Sequence, residues 1–108
     1  MSNSLDDFEA LIANSEKPVF VMWSGSFCKP CKDIKPVFIE NSKDNEKAVF
    51  VIVDVNEGLD ISVKYNITSI PIFKVFKKGK IIDEMMGTSK KELKDFIDKH
   101  QKNLHISI

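Results

Sequence analysis

Two continuous apolar runs constrain the fold of this chain more than any other feature. The first, "PVFVMWS", covers residues 18–24, and the second, "AVFVIVDV", covers residues 48–55. Unbroken runs of this length, rich in Val, Ile and Phe, are typical of strands buried on both faces of a parallel sheet. The segment between them has apolar residues at helical spacing. The two runs therefore predict a βαβ unit, with Pro36 expected to kink its helix.

The segments on either side of this unit extend the alternating pattern. A first helix is predicted from the N-cap Ser4 to about Asn14, and residues 58–66 predict one or two helical turns. Further on, "IFKVF" and "KIIDEMM" flank a short connection that contains Gly79, which is typical of an antiparallel hairpin. Ser89, with a Glu three residues later, begins the closing helix. The prediction is an α/β fold with a central mixed β-sheet flanked by helices.

Length and charge exclude several classes of protein. A chain of 108 residues predicts one domain covering residues 1–108. Basic and acidic residues balance at 16 each, and every basic residue is Lys. Because no Arg is present to read phosphates or guanine bidentately, nucleic acid is not expected as a partner. No apolar run reaches the ~18 residues of a membrane span, so no membrane association is expected.

The start of the chain bears on the compartment. "MSNSLDDFEALIANS" carries two acids near its beginning, no basic leader and no apolar segment of signal-peptide length. We therefore expect a cytoplasmic protein. Because cytosolic thiols are kept reduced, a permanent structural disulfide is not expected there.

Both cysteines of the chain lie in "SGSFCKPCKDIKP", residues 24–36. Cys28 is predicted at the end of a strand and the start of a helix, where free backbone N–H groups and the helix dipole favour a thiolate. With Lys29 and Lys32 nearby, the pKa of the Cys28 thiol is expected to lie below its usual value. Cys31 follows one helical turn later, and Pro30 suits the first turn. This arrangement predicts dithiol–disulfide exchange without a bound cofactor, with Cys28 as nucleophile and Cys31 as resolving thiol.

A metal site is the alternative interpretation of these cysteines. Together with His100 and His105 they would supply two Cys and two His ligands. However, residues 32–99, which number 68, separate Cys31 from His100, far more than in zinc fingers. No metal is therefore expected, and both His residues are predicted to lie on the surface.

From about Ser4 to His100 the sequence resembles the thioredoxin family. "FCKPCK" stands where that family has W-C-G-P-C-K, and "SIPIFKVFKKGK" resembles the segment that carries its cis proline. Further matching positions are Pro36, Asp54 and Gly87. The resemblance implies a thioredoxin fold in which the Ile70–Pro71 peptide bond is cis and faces the active site. It also implies that Ile70 offers its backbone to an extended substrate. The substrate-binding residues predicted in this way are Phe27, Lys29, Pro30, Ile70 and Pro71.

Three residues depart from the family pattern. Phe27 replaces a tryptophan, which keeps an aromatic rim, and Lys29 replaces a glycine, which gives a more positive and fuller entrance. Met22 stands where many members bury an aspartate that is implicated in proton transfer with the second cysteine. The alternative interpretation of Met22 is that it fills space in the core. Trp23, inside the predicted strand, is interpreted as a core residue.

The resemblance implies a protein-disulfide reductase, an enzyme whose partners are protein disulfides and an NADPH-dependent thioredoxin reductase. Two alternatives stay open: a thioredoxin-like binding or chaperone module with slow turnover, and a glutathione-dependent glutaredoxin-like oxidoreductase. The lysines near the hairpin are interpreted as its solvated tip, with a patch for an acidic partner as the alternative. These lysines are Lys74, Lys77, Lys78 and Lys80.

The two ends of the chain give a last expectation. Only three residues precede Ser4, so the first strand usual in the family is predicted to be truncated, which would leave residues 48–55 as a sheet edge. Residues 104–108 alternate apolar and polar, which is typical of a strand. They are predicted to cover this edge within a monomer or a weak dimer, and a frayed tail is the alternative.

Overall fold

The computed structural model describes residues 4–101 of the chain. Within them the order of elements is helix, strand, helix, strand, helix, two strands and helix, which confirms the predicted order. The elements are α1 (Leu5–Asn14), β1 (Val19–Ser24), α2 (Lys29–Asp44), β2 (Val49–Asp54), α3 (Leu59–Lys64), β3 (Ile72–Lys77), β4 (Lys80–Met86) and α4 (Lys90–Gln101). As expected, Pro36 lies inside α2.

The sheet is mixed, as predicted. Its strand order in the described part of the chain is β2-β1-β3-β4. β1 pairs in parallel with β2 and antiparallel with β3, and β3 pairs antiparallel with β4. In this register Met22 lies opposite Ile52 on one side and Phe73 on the other. The α/β class with a central mixed sheet is therefore confirmed.

Strand order explains the burial of the two apolar runs. All six residues of β1 are buried, because it is an inner strand with helices over both of its faces. β2 was also predicted to be buried on both faces, and this is wrong: Phe50 and Ile52 are only half-buried. The reason is that β2 lies at an edge of the sheet formed by residues 4–101. Within residues 4–101, no strand precedes α1 that could pair with this edge. The predicted strand at 104–108 lies outside the described residues.

Side chains alternate along β1 and so divide the core into two clusters. Phe20 and Met22 pack with both cysteines and with apolar residues of α2 and α4. Val21 and Trp23 pack with apolar residues of α1 and α3 on the other face. Met22 and Trp23 are both fully buried, which confirms that they are core residues. Within residues 4–101, the indole Nε1 of Trp23 is buried without a hydrogen-bond partner.

Local signals fix the ends of several elements. Ser4 Oγ accepts the N–H of Asp7 at 3.2 Å, and Ser89 Oγ accepts the N–H of Glu92 at 3.1 Å, so both predicted N-caps are confirmed. Lys78 and Gly79 form the two-residue connection of the hairpin with φ values of 53° and 84°. Two successive positive φ values are typical of the type I′ turn, which matches the twist of paired strands.

Two residues predicted to lie on the surface are instead buried or partly buried. Lys74 was assigned to the solvated hairpin tip, but it is only 7% exposed, and its ammonium lies 3.1 Å from Glu84 Oε1 on the neighbouring strand. His100 was predicted to lie on the surface, but its side chain is only 13% exposed, and its Nε2 lies 2.7 Å from Asp83 Oδ2. Both predictions were wrong because the partners come from β4. His105 lies outside the described residues.

Candidate active site

The two cysteines lie where the central strand gives way to α2. β1 ends at Ser24, a short loop follows, and Cys28 is the N-cap of α2. The backbone N–H of Cys31 donates to Cys28 Sγ at 3.2 Å. A sulfur in this position faces the free N–H groups and the positive end of the helix dipole, and both stabilise a thiolate.

The two sulfurs differ in access to solvent. The structure holds them as a disulfide whose Cα atoms are 5.3 Å apart. Cys28 is 8% exposed, whereas Cys31 is 0% exposed and packs among apolar side chains of α2 and α4. Any large substrate therefore reaches Cys28 before Cys31.

An apolar rim lies beside Cys28. Phe27 is 68% exposed, the most exposed large apolar side chain in the described part of the chain. A Cβ atom built on Gly25 would lie 2.8 Å from Phe27 Cε1 and 3.0 Å from Ile70 Cδ1. Gly25 therefore leaves the space in which these two side chains come together. The Ile70–Pro71 bond is cis, as the resemblance implied, and Pro71 is buried.

Charge is distributed unequally around the disulfide. Lys29 and Pro30 are exposed at the start of α2. On the inner side, the fully buried and apolar Met22 belongs to the same cluster as Cys31. The redox pair thus has positive charge at its entrance and an apolar side chain at position 22 on its inner side.

The structure also shows a pocket that sequence reasoning missed. Its volume is about 280 Å³, and it lies between the ends of β1 and β2 and the second turn of α2. The lining residues include Ser24, Lys32, Lys35, Ile52 and Asp54. Ser24 and Asp54 pair in register on parallel strands, and parallel strands end at the same edge of a sheet. The sequence signal that could have predicted this pocket was the pair of polar residues, Ser24 and Asp54, at the ends of the two strands.

No metal centre is formed by the described residues. Within residues 4–101, no group of three His, Cys, Asp or Glu side chains is arranged to hold an ion. His100, considered above as a ligand, is bonded to Asp83 instead. None of the helices in that part of the chain is both long and apolar enough to cross a membrane.

A disulfide of a Cys-x-x-Cys motif at a helix N-terminus, following the central strand of a mixed sheet, defines the site of a thiol–disulfide oxidoreductase. The family model Thioredoxin matches residues 1–99, and the chain belongs to the thioredoxin family. Its function is that of the family, the reduction of protein disulfides by dithiol–disulfide exchange. In general, this family works with thioredoxin reductase.

Similar proteins support this assignment. Thioredoxin 1 of Plasmodium falciparum is 40% identical over 94 residues, which cover 87% of this chain and 89% of that protein. The thioredoxin of Equus caballus is 40% identical over 85 residues, which cover 79% of this chain and 81% of that protein. The solution structure of the oxidised thioredoxin from Plasmodium falciparum matches with a TM-score of 0.84 at 39% identity, covering 93% of this chain and 95% of that one.

Proposed function

We propose that Cys28 is the nucleophile of disulfide reduction and that Cys31 is the resolving thiol. The observation that carries this assignment is the difference in exposure, 8% against 0%, at a helix N-terminus that favours the thiolate of Cys28. The hydrogen bond from the N–H of Cys31 gives that thiolate a donor before any substrate arrives. The exposed Lys29 adds positive charge at the entrance.

The reaction then proceeds in two exchanges. The Cys28 thiolate attacks one sulfur of the substrate disulfide, the substrate S–S bond breaks, and the first substrate thiolate leaves and takes up a proton. Cys31 loses its proton and attacks the sulfur of Cys28. The bond from Cys28 to the substrate breaks, the second substrate thiol is released, and the Cys28–Cys31 disulfide forms. Two electrons pass from the protein to the substrate.

We assign substrate binding to the surface around Cys28. Phe27 and Ile70 meet over Gly25 and give an apolar surface for a substrate side chain. Ile70, next to the buried Pro71, presents its backbone groups to an extended substrate segment. Lys29 and Pro30, the first two residues of α2, directly follow Cys28 and are exposed to an approaching substrate.

The working cycle needs an electron donor but no bound cofactor. We propose that an NADPH-dependent thioredoxin reductase reduces the Cys28–Cys31 disulfide after each turnover. We further propose that residues 1–108 act as one cytoplasmic domain, as a monomer or a weak dimer. The match of the family model to residues 1–99 supports the single domain.

Insulin reduction with thioredoxin reductase and NADPH tests this function. Cys28→Ser is expected to abolish turnover, whereas Cys31→Ser is expected to accumulate mixed disulfides detectable by mass spectrometry. Glutathione with glutathione reductase is the comparison, and rates that are higher with glutathione would reassign the protein to glutaredoxin-like chemistry. Alkylation of the reduced protein at neutral pH checks the roles of the two thiols. Faster labelling of Cys31 than of Cys28 would overturn the assignment.

A further inference from the structure

The pocket between the ends of β1 and β2 and α2 is not used by the reaction described above. One wall is formed by Ser24 and the loop residues Gly25 and Ser26, which lead directly to Cys28. The opposite wall includes Lys32, the residue after Cys31, and Lys35, about one turn further along α2. The pocket therefore adjoins the redox pair through both the loop and the helix.

The size of the pocket restricts what it can hold. Its volume of about 280 Å³ lies just below the ~300–1,000 Å³ typical of sites for small ligands and cofactors. It corresponds to roughly nine water molecules at ~30 Å³ each. One amino-acid side chain with some of its hydration fits this space better than a cofactor does.

The charges that line the pocket favour an anion. The carboxylate of Asp54 is engaged within its own turn, since Asp54 Oδ1 accepts the N–H groups of Asn56 at 2.8 Å and Glu57 at 3.1 Å. Lys32 and Lys35 are exposed, and neither forms a salt bridge with the other described residues. The chain as a whole has a formal net charge of zero. Two ammonium groups against one engaged carboxylate therefore make this a local positive site.

We propose that this pocket binds an acidic side chain, Asp or Glu, of the protein whose disulfide is attacked by Cys28. The proposal rests on the assignment of Cys28 as nucleophile. Along the axis of α2, Lys32 lies about 6 Å and Lys35 about 10 Å beyond Cys28, at 1.5 Å per residue. An extended substrate advances about 3.3 Å per residue. The acidic residue is therefore expected two or three positions from the substrate cysteine.

Synthetic disulfide peptides test the proposal directly. The set contains Glu or Gln two or three positions before or after the attacked cysteine and is otherwise identical. The reduced protein is expected to reduce the Glu peptide up to about fivefold faster than the Gln peptide in at least one of these positions, which is the upper end of the range for one exposed ion pair. At ~1 M salt, where the Debye length is about 3 Å, the preference is expected to disappear.

Protein variants locate the source of this preference. In the double variant Lys32→Gln/Lys35→Gln the Glu/Gln ratio is expected to fall to about one. Because both peptides are reduced by the same variant, the Glu/Gln ratio cancels any effect of the substitutions on the reactivity of Cys28. The rate with hydroxyethyl disulfide, which is neutral, measures that reactivity separately. Lys43→Gln is the matched control because Lys43 is an exposed lysine in the last turn of the same helix. It is expected to keep the full preference.

The outcomes separate this proposal from the one on which it rests. Equal rates for the Glu and Gln peptides with the wild-type protein would overturn the acidic pocket. A preference that survives in the double variant, or that falls equally in Lys43→Gln, would overturn it as well. Reduction of the peptides by Cys28→Ser would instead overturn the assignment of the nucleophile.

Discussion

Replacing Met22 with Asp tests how the resolving thiol loses its proton. Met22 is fully buried in the same cluster as Cys31, with apolar side chains of α2 and α4 around them. Before Cys31 attacks the mixed disulfide its proton must leave, and the side chain of Met22, in the same buried cluster as Cys31, offers no group that could accept it. We therefore expect resolution to be the slow step in the wild-type protein and Met22→Asp to accelerate it.

The cost to stability follows from burial. A polar group buried without a partner costs about 1–3 kcal/mol, and truncating a buried Met to Ala costs about 2–5 kcal/mol. Because Met22→Asp carries both costs, the expected loss is about 3–8 kcal/mol, and a protein with 5–15 kcal/mol of stability stays folded when the loss is in the lower part of this range. Burial raises the pKa of the new carboxyl above its unfolded value of ~3.9. The destabilisation contributed by this carboxyl is therefore smallest below that value and grows as the pH rises through the folded pKa.

Met22→Asn is the matched control, because it has nearly the same shape and polarity but cannot exchange a proton in this pH range. Both variants are checked for folding by circular dichroism. The reduced proteins are then mixed in a single turnover with a chromogenic aromatic disulfide, which releases one thiol on attack and the second on resolution. General base catalysis contributes about 10²–10⁴-fold when well placed, so the second phase is expected to be at least ~10-fold faster with Asp than with Asn. If the second phase has the same rate in the two folded variants, a carboxylate at position 22 does not help to remove the proton of Cys31, and the reasoning is refuted.

Two further predictions concern titratable groups away from the cysteines. Burial, followed by the hydrogen bond to Glu9 at 3.2 Å, raises the pKa of Tyr65 to about 12. Because Tyr65 is the chain's one tyrosine, the phenolate absorbance of the native protein is expected to appear well above pH 10, and a native midpoint near 10 would contradict the structure. A hydrogen bond from His100 lowers the pKa of Asp83 below its usual 3.8, so this contact stabilises the fold above that pH and is lost as the pH falls through the folded pKa. Asp83→Asn is expected to lower the urea midpoint at pH 7 and to change it little at pH 3; an equal loss at both would exclude the ionic contribution.

Much of the fold was predictable because its signals are local. Ser4 and Ser89 cap helices with hydroxyls three residues from their backbone donors. The turn at Gly79 joins two strands that are adjacent in the chain. The position of Cys28 at the start of α2 was predictable because an apolar run ends and a helical pattern begins there. The cis bond before Pro71 came only from the family resemblance, because most X–Pro bonds are trans.

The features that sequence reasoning missed depend on which elements become neighbours. The apolar run of β2 predicted burial on both faces because it does not encode strand order; its half-burial follows from the edge position, which only the comparison with the family's first strand had predicted. Lys74 is buried because the hairpin register places Glu84 opposite it. The pocket joins Ser24, Lys35 and Asp54, which lie on three separate elements. None of these contacts has a periodic signature in the sequence.

The position of Trp23 makes its fluorescence a probe of folding rather than of the redox state of the cysteines. It is the chain's one tryptophan, and its ring packs edge-on against Phe8, with the centroids 6.2 Å apart. The strand β1 lies between this ring and the cluster that contains Cys28 and Cys31. The emission of Trp23 therefore reports the packing of the α1 and α3 face. Because the ring and the two cysteines lie in different clusters, we expect reduction of the disulfide to change the emission of Trp23 little, so that unfolding curves recorded by fluorescence can be compared between the dithiol and disulfide forms.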